Sequence, residues 1–232
     1  MPYFYTMQAS SHFAGVLGFL LAFGAAHAQT YLGAELRAGV VKPKSYAPYG
    51  SNSTDGSIGT TIDLRILLSD RIGTKLIMNY GVGYLQQWYI VRTRDGGLGG
   101  RTNEELDITS GWLVLGVAPG WAMSRDKRTT AELGIDLLIP ILDNVTGYTR
   151  TSGPYGSSTL KYDNEPISYG RTNARIVFSA HQLLISKKPY VIRLGAGSGF
   201  GFTEESQAAS SVLTWQAFVS ISMMWKLSKK EP

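Results

Sequence analysis

From Gln29 onward the apolar residues recur at every second position, the period of a half-buried β-strand rather than of a helix. The first run, from Tyr31, sets Leu32, Ala34, Leu36, Ala38 and Val40 against Glu35 and Arg37. A second sets Ile58, Ile62, Leu64, Ile66 and Leu68 against Thr61, Asp63 and Arg65. A third, from Thr74 to about Val91, carries Leu76, Met78, Tyr80, Val82 and Tyr84 on one face and Asn79, Gly81 and Gly83 on the other. The fifth run opposes Leu133, Ile135 and Leu137 to Glu132 and Asp136, and the sixth opposes Ile176 and Phe178 to Arg171, Arg175 and Ser179. The eighth is the cleanest, with Leu213, Trp215, Val219, Ile221, Met223 and Trp225 against Thr214, Gln216, Ser220 and Ser222. The fourth, about Glu105 to Ala122, is apolar on both faces through "WLVLGVAPGW", and Pro119 suggests a bulge or an early end.

The seventh run, "YVIRLGAGSGFGF", has glycines at 195, 197, 199 and 201, which raises the question of a phosphate-gripping loop. A dinucleotide fingerprint needs G-x-G-x-x-G opening a helix, and neither that spacing nor a helical pattern is present. These glycines instead share a face with Arg193 and leave room for long side chains from neighbouring strands.

The connections alternate in length. Residues 41–57, about thirteen residues after the third run, and 143–165 make long connections, with the loop "EESQAAS" as the last. The tight turns "SDRIG", "MSRDKR" and "ISKKP" lie between them. Eight strands with this alternation predict an all-β fold, an eight-stranded antiparallel up-and-down transmembrane barrel whose ends meet on the short-turn side. Several runs exceed the 9–11 residues a tilted membrane strand needs, so some strands are expected to project beyond the bilayer.

Eight strands enclose too little space for an aqueous channel. A soluble barrel of that size would hold its apolar set inside, whereas a membrane barrel turns it outward. The polar face here is rich in small residues, which suits a cramped interior. Trp215 and Trp225 lie ten residues apart on one face. At roughly 3.3 Å per residue and a tilt of about 40°, that spacing projects to roughly 25 Å, the height of an apolar band between aromatic girdles. Tyr80, Tyr84 and Phe202 are expected to belong to the same girdles.

Charge then refines the picture. The expected lumen network joins Arg37, Arg65, Arg171, Arg175 and Arg193 to Glu35, Asp63, Asp107, Glu132 and Asp136, which balances and so suits a low-dielectric interior. The chain carries a net +5, and its short-turn side holds ten Lys or Arg against three acids, so that side can rest on anionic lipid headgroups. "HFAGVLGFLLAFGAAHA", followed by Gln29, reads as an export signal over residues 1–28, which leaves residues 29–232 as the barrel domain. Cysteine is absent, so no disulfide framework and no lipoprotein attachment site are expected.

The segments "AHAQTYLGAELRAG" and "WQAFVSISMMWKL" resemble those of small eight-stranded outer-membrane barrels of Gram-negative bacteria, most of all the PorT-like barrels of Bacteroidota. The resemblance implies fold and location and no reaction. It departs at the end, where "SKKEP" follows Trp225 and Leu227 in place of a terminal aromatic.

The candidate chemistry is sparse. His181 is the one histidine beyond residue 28, with Ser179 two residues before it on the same face, and both fall near the short-turn end. A nucleophile and base working on lipid at the outer leaflet would sit at the other end, so no catalytic residue is expected. No metal-ligand spacing and no cofactor motif occur, and the basic residues form no stripe for nucleic acid. The expected partners are outer-membrane lipids and a protein at loops 41–57 and 143–165, which are rich in Tyr, Gly and Ser. The expectation is therefore a monomeric outer-membrane barrel with a salt-bridged lumen and an interaction role. A narrow pore, a lipid-modifying enzyme and a secreted lipocalin-like binder are the alternatives.

Overall fold

A computed structural model describes residues 30–45, 53–72, 75–97, 100–166, 172–187, 189–204 and 211–227. The proposed export signal and Arg171 lie outside these residues. Among them every element is a strand: β1 (Thr30–Ser45), β2 (Ser53–Gly56), β3 (Gly59–Ile72), β4 (Leu76–Gly97), β5 (Gly100–Ala122), β6 (Thr129–Gly153), β7 (Gly156–Pro166), β8 (Asn173–Lys187), β9 (Tyr190–Glu204) and β10 (Ser211–Leu227).

Eight of these strands close an antiparallel barrel in the order β1-β3-β4-β5-β6-β8-β9-β10, and β10 pairs back onto β1 from Thr30↔Leu227 to Ser45↔Val212. The register runs from Gly33 through Leu67, Gly81, Gly116, Asp136, Arg175, Gly201 and Thr214, and meets β1 again at Pro43, ten positions further along. An eight-stranded barrel with that stagger tilts its strands by about 40° and leaves an interior that side chains alone can fill.

The other two strands correct an expectation. Residues 143–165 do not form an open loop: β6 continues to Gly153 and β7 returns along it, with Ser152↔Ser157 near the turn. Likewise Val41–Ser45 prolongs β1 and β2 pairs with β4. The glycines and serines of these segments suggested loops, but their Thr, Tyr and Val have the residue types that favour strands. Extended sheet therefore projects from the long-loop end of the barrel.

Burial is inverted relative to a soluble protein. Glu35, Arg37, Asp63, Arg65, Asp136, Arg175, Gln216, Ser220 and Ser222 are buried, while Leu36, Leu64, Ile66, Ile135, Phe178, Leu194, Val219 and Ile221 are exposed. Both sets alternate along the same strands, as β3 and β8 show. An apolar wall around an ionic interior is the organisation of a barrel that spans a membrane.

A bulge between β5 and β6 resets the alternation. Gly111 faces Leu142 while Trp112 faces Pro140, so Ile141 is the additional residue. Pro140 has no N–H to give the ladder, which suits it to such a break. Even-numbered residues of β6 point inward below the bulge (Glu132, Asp136, Leu138), and odd-numbered Val145 is buried above it.

Candidate functional site

The centre of the lumen is a quartet. Asp136 accepts hydrogen bonds from Arg65 Nη1 at 2.9 Å and Nη2 at 2.7 Å, and from Arg175 Nε at 3.0 Å and Nη2 at 2.6 Å. Asp63 accepts from Arg65 Nε at 2.9 Å and Nη2 at 2.6 Å, and from Arg175 Nη2 at 3.0 Å. Arg175 Nη1 donates to Gln216 Oε1 at 2.6 Å. The register makes this arrangement possible: Asp136 lies directly opposite Arg175, and Asp63 is two residues from Arg65 on the same inward face. Glycines make the space. A side chain at Gly199 would meet Arg175, and one at Gly116 would meet both Asp136 and Arg65.

A second group lies toward the short-turn end. Arg37 Nε donates to Glu35 Oε2 at 2.8 Å, and its guanidinium stacks over the Phe218 ring at 4.9 Å. Glu132 lies 3.4 Å from Arg193 Nη1 and 3.4 Å from His181 Nε2. Four arginines thus meet four carboxylates inside the wall. Asp107 is not among them: it is exposed on the outward face, because β5 turns its even-numbered residues Ile108, Ser110, Trp112 and Val114 inward. Asp70, placed by the sequence at a turn, is buried and accepts from Thr30 Oγ1 at 2.6 Å.

Ser179 and His181 do come together, with Nε2 3.1 Å from the Ser179 hydroxyl. The other ring nitrogen is 3.9 Å from Glu35 Oε1, beyond hydrogen-bond distance for an orienting acid. Ser179 is 8% exposed and His181 2%, and the space left within the surrounding network is about 20 Å³. A wider vestibule of about 250 Å³ opens at the short-turn mouth between Tyr31, Arg71, Lys127, Arg128, Leu183 and Met224.

Two apolar clusters also lie inside, and neither was anticipated. Leu85, Trp112, Val114 and Leu138 form one, and Val41, Tyr89, Ile108 and Val145 form the other on the long-loop side of it. The signal in the sequence was the fourth run, apolar on both faces because one face meets the wall and the other this plug. Within the lumen an apolar cluster therefore lies above a neutralised ionic layer.

Of the residues expected in the aromatic girdles, Trp215 and Trp225 are exposed on the outer wall, near opposite ends of β10. Tyr80, half-buried, and Tyr84, exposed, lie opposite Leu68 and Leu64 on β3, and the Tyr84 hydroxyl end lies beside Gly111. The Phe202 side chain lies outside the described residues.

On the projecting sheet, a cavity of about 560 Å³ is bounded by Arg92, Arg94, Arg101 and Arg150, with Tyr148, Asn103, Thr159, Glu104 and Glu105 completing its walls. Val91, Leu106 and Tyr162 pack inward onto the apolar cluster, so their alternates Arg92, Glu105 and Tyr148 face outward. Arg92 pairs with Glu105 at 3.0 Å, and Arg101 Nε donates to Asn103 at 3.1 Å. Among the described residues, Arg94 and Arg150 have no carboxylate within ion-pair distance. Arg92, Arg94 and Arg101 fall in "VRTRDGGLGGRTNEE", for which the sequence suggested no site, whereas Arg150 falls in residues 143–165, expected to meet a protein partner.

No protein-family model matches the chain, and no curated protein matches it in sequence. Among solved structures it is similar to Neisserial surface protein A at 10% identity, with 82% of this chain and 95% of that one covered and a TM-score of 0.38. It is similar to the outer membrane protein OprG of Pseudomonas aeruginosa at 9% identity, with 88% and 97% covered and a TM-score of 0.40. It is also similar to the attachment invasion locus protein Ail of Yersinia pestis at 9% identity, with 84% and 99% covered and a TM-score of 0.29.

Proposed function

We propose that the protein is a monomeric barrel of a bacterial outer membrane, of the PorT-like kind, exported by residues 1–28. Its lumen is closed and its role is recognition through the sheet that projects beyond the bilayer. The observation that carries this reading is the coexistence of an outward apolar wall with a lumen sealed twice, by the neutral quartet and by the Trp112 cluster. A transport path is thereby disfavoured, and the projecting strands remain as the part with surface to offer.

The same geometry supports a non-catalytic role. His181 is flanked by Glu35 and Glu132, and the cavity beside Ser179 leaves about 20 Å³ of free space. The expected results are heat-modifiable migration in detergent gels, no current in planar bilayers, and unchanged lipid A acylation in a His181→Ala strain. A steady conductance in the wild type that changes in Arg65→Ala or Arg193→Ala would sink the closed-lumen reading. Altered acylation in the variant strain would sink the non-enzymatic one.

A further inference from the structure

The arginine cavity lies on the wrong face to serve the lumen. Arg92, Arg94, Arg101, Asn103, Glu105, Tyr148 and Arg150 share the side that continues the apolar wall, the side turned toward the surrounding leaflet. Height narrows the choice. On β4 the outward apolar run continues through Trp88 to Ile90, and Arg92 follows two residues later. At roughly 3.3 Å per residue and a tilt of about 40°, Arg92 lies about 5 Å beyond the apolar wall, and Arg94 with its ladder neighbours Asn103 and Arg150 lies about 10 Å beyond it. A phospholipid headgroup layer is only about 5–8 Å thick, so it reaches Arg92 and little more. A saccharide headgroup spans the rest.

Charge and shape agree with such an occupant. Arg92 is paired with Glu105, and Arg94 and Arg150 supply two positive charges that match one phosphate monoester, which carries about −1.5 to −2 near neutral pH. Arginine forks are suited to bidentate bonds with phosphate oxygens. Tyr148 supplies a flat face on which a sugar ring can lie, with Asn103 and Thr159 available to its hydroxyls.

We infer that this outward cavity binds the phosphorylated saccharide headgroup of the glycolipid in the outer leaflet, with Arg94 and Arg150 holding the phosphate. The inference rests on the outer-membrane reading above.

The test uses the full chain folded in neutral detergent and three soluble probes. These are core oligosaccharide from deacylated Gram-negative lipooligosaccharide, the same material after phosphatase treatment, and a heparin fragment. The phosphorylated oligosaccharide is expected to bind at least tenfold tighter than its dephosphorylated form. Arg94→Ala/Arg150→Ala should remove that advantage while heat-modifiable migration is retained. Lys127→Ala/Arg128→Ala, at the opposite end, should leave binding unchanged. Equal binding with and without phosphate, an unaffected double variant, or tighter binding of heparin would each overturn the inference. Failure of the outer-membrane reading is a different result, a chain that neither inserts into vesicles nor shows heat-modifiable migration.

Discussion

Replacing Arg65 by Met tests the lumen network at its most connected point. Methionine keeps much of the volume but removes every guanidinium bond, two to Asp63 and two to Asp136. Asp63 retains Arg175 Nη2 at 3.0 Å, and Asp136 retains Arg175 Nε and Nη2. Two carboxylates then share one guanidinium within a site that is about 3% exposed, and the site carries an uncompensated negative charge. Breaking a buried pair from one side costs about 3–5 kcal/mol, because the surviving charge remains desolvated. The surviving bonds to Arg175 place this variant toward the lower end, about 3 kcal/mol, a shift of roughly a hundredfold in the folding equilibrium.

The assay is reversible urea unfolding in phospholipid vesicles, followed by tryptophan fluorescence. Arg65→Met should lower the midpoint with an unchanged slope. Asp63→Asn/Arg65→Met removes one charge of each sign and returns the site to neutrality, so it should recover at least half of the loss. A single variant within about 0.5 kcal/mol of wild type, or a double variant no more stable than the single, would refute the account of the lumen as a mutually neutralising network.

Gly195→Val should destabilise the barrel by about 1–3 kcal/mol, since a Cβ there stands 2.5 Å from His181 Nδ1 and 2.6 Å from Ser220 Oγ; adding His181→Ala should restore part of that loss in the same titration. Leu64→Arg, which places a charge in the middle of the outer wall, should cost about 2–4 kcal/mol, whereas Asn103→Arg on the projecting sheet should cost about 1 kcal/mol or less. Trp112→Ala should cost about 3–5 kcal/mol as a cavity within the plug. Val219→Ala on the lipid face should cost about 1 kcal/mol or less, because only a small area changes neighbours.

The barrel was legible because period-two alternation is a local property, and strands such as β3, β8 and β10 carry it through most of their length. The positions of Glu35, Arg37, Asp63, Arg65, Glu132, Asp136, Arg175 and Arg193 followed from phase alone. Phase failed where the sequence supplied no alternation. In β5 both faces are apolar, so Asp107 had no local cue to its outward direction, and Trp112 none to its burial. Beyond the Ile141 bulge the parity of β6 reverses, which a reading of strict alternation cannot foresee. The hairpin of β6 and β7 was hidden by its Gly and Ser content, and with it the arginine cavity, which draws residues from four strands.

The orientation of β10 is the most direct test, and the chain has no cysteine to interfere with labelling. Single cysteines from position 215 to 223, each carrying a fluorophore, would be measured in vesicles containing brominated lipid. Quenching should be strong at 215, 217, 219, 221 and 223 and weak at 216, 218, 220 and 222. Quenching at the even positions instead, or labels at 219 and 221 reached only by a water-soluble quencher, would contradict the outward placement of the apolar wall.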